Sequence, residues 1–371
     1  KKIMKYYIIA GEASGDLHGS NLMKAMLKIA PDSDFRYWGG DNMKAVGGKL
    51  VKHYRDLAFM GFTEVLTNLG TIISNLKFCK KDILRYNPDV LVLIDYPGFN
   101  LRIAEFAKKQ GIKVVYYISP QIWAWKKNRV FKIKKYVDRM LVILPFEKDF
   151  YAKYNVDVDF VGHPLLDALE NERSITKEAF LKENTLDNKP IIALLPGSRK
   201  QEVKVMLQTM LTLIPKYPEH QFIIAGVSTL TKEYYNDIIG DKNVKLLLNN
   251  TNNILKFADA ALVTSGTATL ETVLIGTPEV VCYKGGRVSY EIAKRVIDVK
   301  YISLVNLIMD KEVVVELIQS DFNSTSLGSS LDEILFDDKK RTEITDNYKK
   351  LKAILGTKGA SMRAAEIILG M

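Results

Sequence analysis

The sequence predicts an α/β protein built as two doubly wound domains that face each other across a cleft. Three observations carry this expectation. The chain has 371 residues, enough for two domains. Each half alternates short apolar runs with helical patterns. The runs 89–94, 191–195 and 260–264 are almost continuously apolar, as strands covered on both faces are.

Composition narrows the class. Hydrophobic residues make up 47% of the chain and charged ones 26%, the balance of a soluble globular protein. No apolar run reaches the roughly 18 residues of a membrane-spanning helix. Residues 1–10 are too short an apolar stretch for a secretory signal and read as a first strand. Cys79 and Cys282 give no disulfide framework, so a reducing cytosol is expected. A net charge of +10 suits nucleic acid, anionic lipid or phosphorylated substrates. The four histidines are scattered without zinc-ligand spacing.

In chain order, Tyr6 to Ala10 is the first strand. It enters the loop Gly11-Glu12-Ala13-Ser14-Gly15-Asp16-Leu17-His18-Gly19, whose glycines do not fit G-x-G-x-x-G. A loop in this place still lies on the edge where open α/β sheets bind ligands. Glu12, Ser14 and Asp16 are the polar groups it offers. A helix is expected over 21–29 and a second strand over 35–40.

Residues 58–76 repeat Leu66, Leu69, Ile73 and Leu76 at helical steps, with an almost uncharged opposite face. Such a helix either packs into the core or lays its apolar face on a membrane or on acyl chains. The run 89–94 ends at Asp95-Tyr96-Pro97-Gly98-Phe99-Asn100. An acid directly after a buried parallel strand sits where such sheets place their chemistry, and it can equally cap the next helix.

A strand over 113–118 leads into Ser119-Pro120-Gln121-Ile122-Trp123-Ala124-Trp125. Then come Lys126, Lys127, Arg129, Lys132, Lys134 and Lys135, interleaved with Val130, Phe131 and Ile133. This is either a solvated helix face or a patch for an anionic membrane surface. No nucleic-acid-binding motif accompanies it.

Strands over 139–144 and 159–161 end at Gly162-His163-Pro164, which sets the first domain as 1–164. Residues 171–188 read as a connector with a short helix. The second domain, 165–340, brings strands over 191–195, 220–226, 244–248, 260–264 and 279–283. Residues 341–371 are a helical tail, either packed back on the first domain or exchanged with a second copy in a homodimer.

Two strand ends in the second domain suit phosphate. Gly197, Ser198 and Arg199 combine a flexible backbone with a fork-shaped cation. Ser265-Gly266-Thr267-Ala268-Thr269 opens a helix whose free N–H groups favour an anion, with Ser265 or Thr267 as its cap. Glu271 lies one turn on, within reach of a sugar diol, and 301–306 falls near the same edge. The P-loop pattern is absent, which disfavours NTP hydrolysis. The Asp-x-Asp pairs at 32–34 and 157–159 precede strands, so no metal site is expected, and Arg199 with the helix start would offset a leaving diphosphate.

The motifs at 11–16, 95–100, 119–125, 195–199 and 265–271 together resemble the lipid-A-disaccharide synthase family. The resemblance covers nearly the whole chain in the same order. It implies a two-Rossmann, GT-B type glycosyltransferase without cofactor, with UDP-2,3-diacylglucosamine as donor and 2,3-diacylglucosamine 1-phosphate as acceptor. The products would be a β-1,6-linked disaccharide 1-phosphate and UDP, formed with inversion. By motif position Asp95 would be the base for the acceptor hydroxyl, or would orient the acceptor. Gly197, Ser198, Arg199, Gly266 to Thr269, Glu271 and Asn306 would hold the donor. Met60, Phe62, Val65, Leu66, Leu69, Ile72, Ile73, Val205 and Met206 would meet acyl chains at the cytoplasmic face of the inner membrane. Where some relatives carry a second acid after the proline, this chain has Gly98. Another UDP-N-acetylglucosamine-using enzyme of this architecture, or a non-catalytic nucleotide-sugar sensor at the membrane, are the rival readings.

Overall fold

Parallel strands buried on both faces need helical crossovers, and the chain supplies them in two compact units. The computed structural model describes residues 2–57, 69–123, 127–170, 174–286 and 300–371. One unit is Lys1–Asn171 with Leu355–Met371, the other Glu172–Ile354.

The first unit carries a seven-stranded sheet. Its strands are β1 (Lys5–Ala10), β2 (Asp34–Gly39), β3 (Lys49–His53), β4 (Val90–Ile94), β5 (Lys113–Tyr117), β6 (Arg139–Val142) and β7 (Asp159–Phe160). Their order is β3-β2-β1-β4-β5-β6-β7, and every pairing is parallel. The second unit has a six-stranded parallel sheet. It contains β8 (Ile191–Leu195), β9 (Gln221–Gly226), β10 (Lys245–Leu248), β11 (Ala260–Thr264), β12 (Glu279–Tyr283) and β13 (Glu316–Ile318), in the order β10-β9-β8-β11-β12-β13. Strand order therefore reverses between β1 and β4 in one sheet and between β8 and β11 in the other. Ligand crevices of doubly wound sheets open at such reversals.

The sequence reading lacks β3 and β13. β3 is a half-buried edge strand with the mixed pattern Lys-Leu-Val-Lys-His, and β13 is only three residues long. Neither shows the continuous apolar run that marks the central strands.

The helix Leu69–Tyr86 anchors the β1–β2 side through a buried carboxylate. Asp82 accepts bonds from Arg36 Nε and Nη2 at 2.8 and 2.6 Å, from Arg85 at 3.0 Å and from Tyr7 Oη at 2.8 Å. Burial alone would push this carboxyl up; its hydrogen bonds and the Arg36 charge outweigh that and hold it below the usual range.

The C-terminal helix Ala360–Leu369 packs along Ala13–Ile29 within the first unit. Asp167 caps its start, accepting the Gly359 and Ser361 N–H groups at 2.6 and 2.9 Å. Arg363 donates to the Val161 carbonyl at 2.7 Å, beside Gly162 at φ +88°, where a Cβ would come within 2.7 Å of the guanidinium. His18 and His163 are buried in the same region, and burial holds them down to about 4 and about 3.

Candidate functional site

In the first unit, β1 and β4 end side by side, with Ala10 paired to Ile94. The next residues are Gly11-Glu12 on one strand and Asp95-Tyr96 on the other. Asp95 and Tyr96 both adopt left-handed backbone, with φ of 44° and 49°. Ile118, just past β5, does the same at 65°, which a β-branched side chain rarely tolerates. Strain of roughly 1–3 kcal/mol per residue persists only where surrounding contacts over-determine it, and it gathers at functional sites.

Asp95 is half-buried. Burial first, then the negative charge of Glu12, push its carboxyl up to about 7, against the pull of the Tyr96 N–H. A carboxylate poised there is suited to take a proton near neutral pH. Glu12 is half-buried at the start of the helix Ala13–Ile29, and no side chain caps that helix. It is the acid that stands opposite Asp95, reached across the sheet instead of along the chain.

A third carboxyl belongs to this end of the sheet. Glu147 is fully buried, and its Oε2 accepts the Ile143 and Leu144 N–H groups at 3.1 and 2.9 Å. Burial pushes it up to about 7, and the charge of Asp95 adds to this. The sequence reading missed Glu147; its one local signal is an acid at the third position of the helix Pro145–Ala152.

Two expected acceptor contacts differ. Ser14 is exposed, but Asp16 is buried. Its carboxylate accepts N–H groups from Gly40, Asn42 and Met43 at 2.7, 3.0 and 3.0 Å. It caps the helix Asp41–Val46, so three of its acceptor positions serve the backbone of the neighbouring loop.

In the second unit, β8 and β11 end next to each other at the other reversal. Gly197 has φ +100° and a Cβ there would lie 2.2 Å from Glu202 Oε2. That oxygen also accepts the Ser198 N–H at 3.3 Å, so Glu202 shapes this turn, a role the sequence reading did not assign. Arg199 is exposed at the N-cap of the helix Lys200–Met210. After β11, Gly266 (φ 152°) is itself the N-cap of the helix Thr267–Ile275, and no side chain caps it. The expected capping by Ser265 or Thr267 does not occur. Thr269 instead bonds back to the Gly266 carbonyl through its N–H and hydroxyl, at 3.2 and 2.8 Å. Thr267 is exposed, and Ala268 and Glu271 are half-buried beside this opening.

Asn306 is a correction. It is completely buried, and its amide donates to Val314 O and Glu316 Oε1 at 2.9 Å each. Its oxygen accepts from the Val313 and Val314 N–H groups at 2.7 and 3.1 Å. All four hydrogen-bonding positions of the amide are taken, so the side chain ties 313–316 to the helix Leu304–Met309 and has none left for a nucleotide.

For the apolar and basic segments, Met60, Phe62, Val65, Leu66, the side chain of Leu69 and Lys126 lie outside the described residues, as do Ala124 and Trp125. Ile72 is half-buried and Ile73 is 46% exposed. On the same helix Phe78 and Leu84 are 45% and 51% exposed. Val205 is partly exposed, but Met206 is wholly buried in the second unit's core, so it cannot meet acyl chains. Lys127, Lys132, Lys134 and Lys135 are exposed, with Phe131 at 61% among them. Arg129 departs from the patch: it is half-buried near Tyr116 and Arg102, and burial pulls its pKa down. Among the described residues, no helix is long and apolar enough to cross a membrane and no group of His, Cys, Asp or Glu could hold a metal ion.

Residues 6–368 match the family model described as lipid-A-disaccharide synthetase. The lipid-A-disaccharide synthase of Syntrophus aciditrophicus is 43% identical over 98% of this chain and 96% of its own. That of Geobacter metallireducens is 39% identical over 100% and 97%. Among solved structures, a UDP-GlcNAc 2-epimerase from Neisseria meningitidis bound to UDP-GlcNAc is similar with a TM-score of 0.70 at 16% identity, covering 99% of this chain and 100% of that one. The glycotransferase of kitacinnamycin gives 0.65 at 14%, covering 99% of each. At such identity these two share the fold alone, the two-Rossmann class of GT-B proteins. The sequence match spans both sheets and both reversals, and the chain belongs to the lipid-A-disaccharide synthase family.

Proposed function

We propose that this chain transfers 2,3-diacylglucosamine from UDP-2,3-diacylglucosamine to the 6-hydroxyl of 2,3-diacylglucosamine 1-phosphate. The products are the β-1,6-linked disaccharide 1-phosphate and UDP. One observation carries the reading: Asp95, a half-buried acid pushed up to about 7, stands at the β1/β4 reversal of a chain whose family membership spans its length. Asp95 takes the proton of the attacking hydroxyl in a single in-line displacement with inversion. In the second unit, the uncapped start of the helix Thr267–Ile275, the 197–198 turn and Arg199 hold the diphosphate and stabilise the charge that grows on it as the bond breaks. Glu271 meets the ribose.

Both substrates carry acyl chains, so we also propose peripheral binding at an anionic bilayer surface. Ile73 and Phe131 supply apolar contact and the lysines from 127 to 135 supply charge. The test is conversion of radiolabelled donor to disaccharide in detergent micelles, with UDP-N-acetylglucosamine as competitor. Appearance of the tetra-acyl disaccharide supports the reading. Binding without turnover, or turnover of UDP-N-acetylglucosamine itself, refutes it.

A further inference from the structure

The Asp95-Tyr96 turn is clamped from three sides. The Asp95 carbonyl accepts two hydrogen bonds, from Tyr116 Oη at 2.5 Å and from Asn100 Nδ2 at 2.7 Å. Both donors are completely buried. Asn100 also closes the turn from its backbone, donating to the Tyr96 carbonyl at 3.0 Å, and its amide reaches the Ile94 carbonyl at 3.3 Å. On the third side, the Tyr96 ring lies flat over Gly11, where a Cβ would come within 2.4 Å of two ring carbons. The same ring stacks on Phe99, with centroids 5.7 Å apart.

These contacts explain one another. Two consecutive residues other than glycine in left-handed backbone would relax unless held. Relaxing would swing the Asp95 side chain, because a carboxylate hangs from the same α-carbon whose carbonyl is pinned. A helix cap alone would need none of this, and no side chain caps the helix Pro97–Lys109.

We propose that Tyr116 and Asn100 are positioning residues for the reaction: by holding the Asp95 carbonyl they fix the left-handed turn that aims the Asp95 carboxylate at the acceptor hydroxyl. Gly11 serves the same end by leaving room for the Tyr96 ring. This rests on the assignment of Asp95 as base. Misplacement of a catalytic group by an ångström is enough to cost one to two orders of magnitude in rate, as a rough guide.

The experiment compares Tyr116→Phe, Asn100→Ala and Asp95→Asn in the full-length enzyme. Each is followed by kcat and KM for both substrates, UDP affinity, thermal melting and the pH dependence of kcat. Tyr116→Phe removes one hydroxyl and leaves the Asn100 bond to hold the fold. The expected result is a fall in kcat of about tenfold with KM and UDP affinity unchanged. The acidic limb should move to lower pH as the loosened carboxylate gains water. Asn100→Ala should give the same split, and it decides the matter should Tyr116→Phe fail to fold. Wild-type kcat and an unmoved acidic limb in the variants, alongside an inactive Asp95→Asn, would overturn the positioning role while leaving the base in place. A fully active Asp95→Asn would remove the base assignment and the positioning role with it.

Discussion

Asp95 is placed where three physical effects meet. The strand that delivers it is buried on both faces, so its carboxyl emerges from low-dielectric surroundings that disfavour charge. Glu12 adds like charge from the adjacent strand end. The left-handed turn fixes its direction. A base with its pKa raised to about 7 must be ionised to act, so activity should fall as pH drops below about 7, approaching tenfold per unit. Asp95→Asn should lower kcat by roughly 10²–10⁴, with UDP binding intact. Glu12→Gln removes the like charge, so the acidic limb of the pH–rate profile should shift downward. A limb that stays put in Glu12→Gln would show that burial alone sets it.

Arg199 offers the second test at this scale. It is the exposed cation beside the Gly197-Ser198 turn. Arg199→Ala should weaken UDP binding by about 1.5–3 kcal/mol, the range of a charge-assisted hydrogen bond. Calorimetric titration with UDP would read this directly, and an unchanged affinity would remove Arg199 from the donor site. Asp95 and Arg199 were both legible in the sequence because each follows an apolar run that could only be a covered strand. Asn306 and Met206 were misread for different reasons. A polar side chain looks alike in sequence whether it faces a ligand or satisfies the backbone of a neighbouring loop, as Asn306 does. Met206 lies on the inward face of the helix Lys200–Met210, and only packing shows which face that is.

Among the elements, the helix Leu69–Tyr86 divides its two faces sharply. Asn75, Cys79, Asp82 and Ile83 are buried against the sheet, whereas Ile73 and Leu84 on the opposite side are exposed and Phe78 sits at the margin beside Trp38. Apolar side chains left on the outer face of an otherwise basic helix are what a bilayer surface would cover. Phe131 stands the same way among lysines on the helix Arg129–Tyr136. Ile73→Ser combined with Phe131→Ser should leave the protein folded with only a small fall in melting temperature, since Ile73 is about half exposed and Phe131 keeps an edge contact with Tyr154. The same variant should bind vesicles containing anionic phospholipid at least about tenfold more weakly, each side chain giving up up to about 1.5–3 kcal/mol of burial in lipid. Cosedimentation measures this, and equal binding would reject the surface. Helical periodicity in the sequence left core and membrane readings open, because a stripe of Leu and Ile has the same spacing in both. The packing of Asp82 against Arg36 and Tyr7 decides which face turns inward.

Across the whole molecule, ionisable groups in the first unit pull stability in opposite directions as pH falls. His18 and His163 are held neutral by burial, at about 4 and about 3, whereas an unfolded histidine titrates near ~6.5. Below ~6.5 the unfolded chain therefore binds more protons at these sites, and stability is lost progressively towards their folded values. Asp95 and Glu147 act in the other sense. Their folded forms take up protons first, so they favour the native state as pH drops from about 7 towards the ordinary carboxylate range. His163→Gln keeps an acceptor for the Leu165 N–H but cannot be protonated. It should lose less stability than the wild type between pH 6.5 and 5, by on the order of 1–2 kcal/mol. Denaturant melts at the two pH values would measure the difference, and parallel losses would reject the assignment.

The sequence by itself determined the parallel α/β class, the central strands and the turns that end them. A strand covered on both faces must be apolar along its length, and the glycines and polar residues that follow it mark where the chain turns out of the sheet. Only the tertiary structure decided which of those strand ends are neighbours. Sheet order is set by crossover connections and not by proximity along the chain, so Glu12 and Asp95, more than eighty residues apart, share one edge of one sheet. The same holds for Tyr116, an ordinary aromatic in a strand pattern, whose hydroxyl becomes a clamp only because β5 lies against β4.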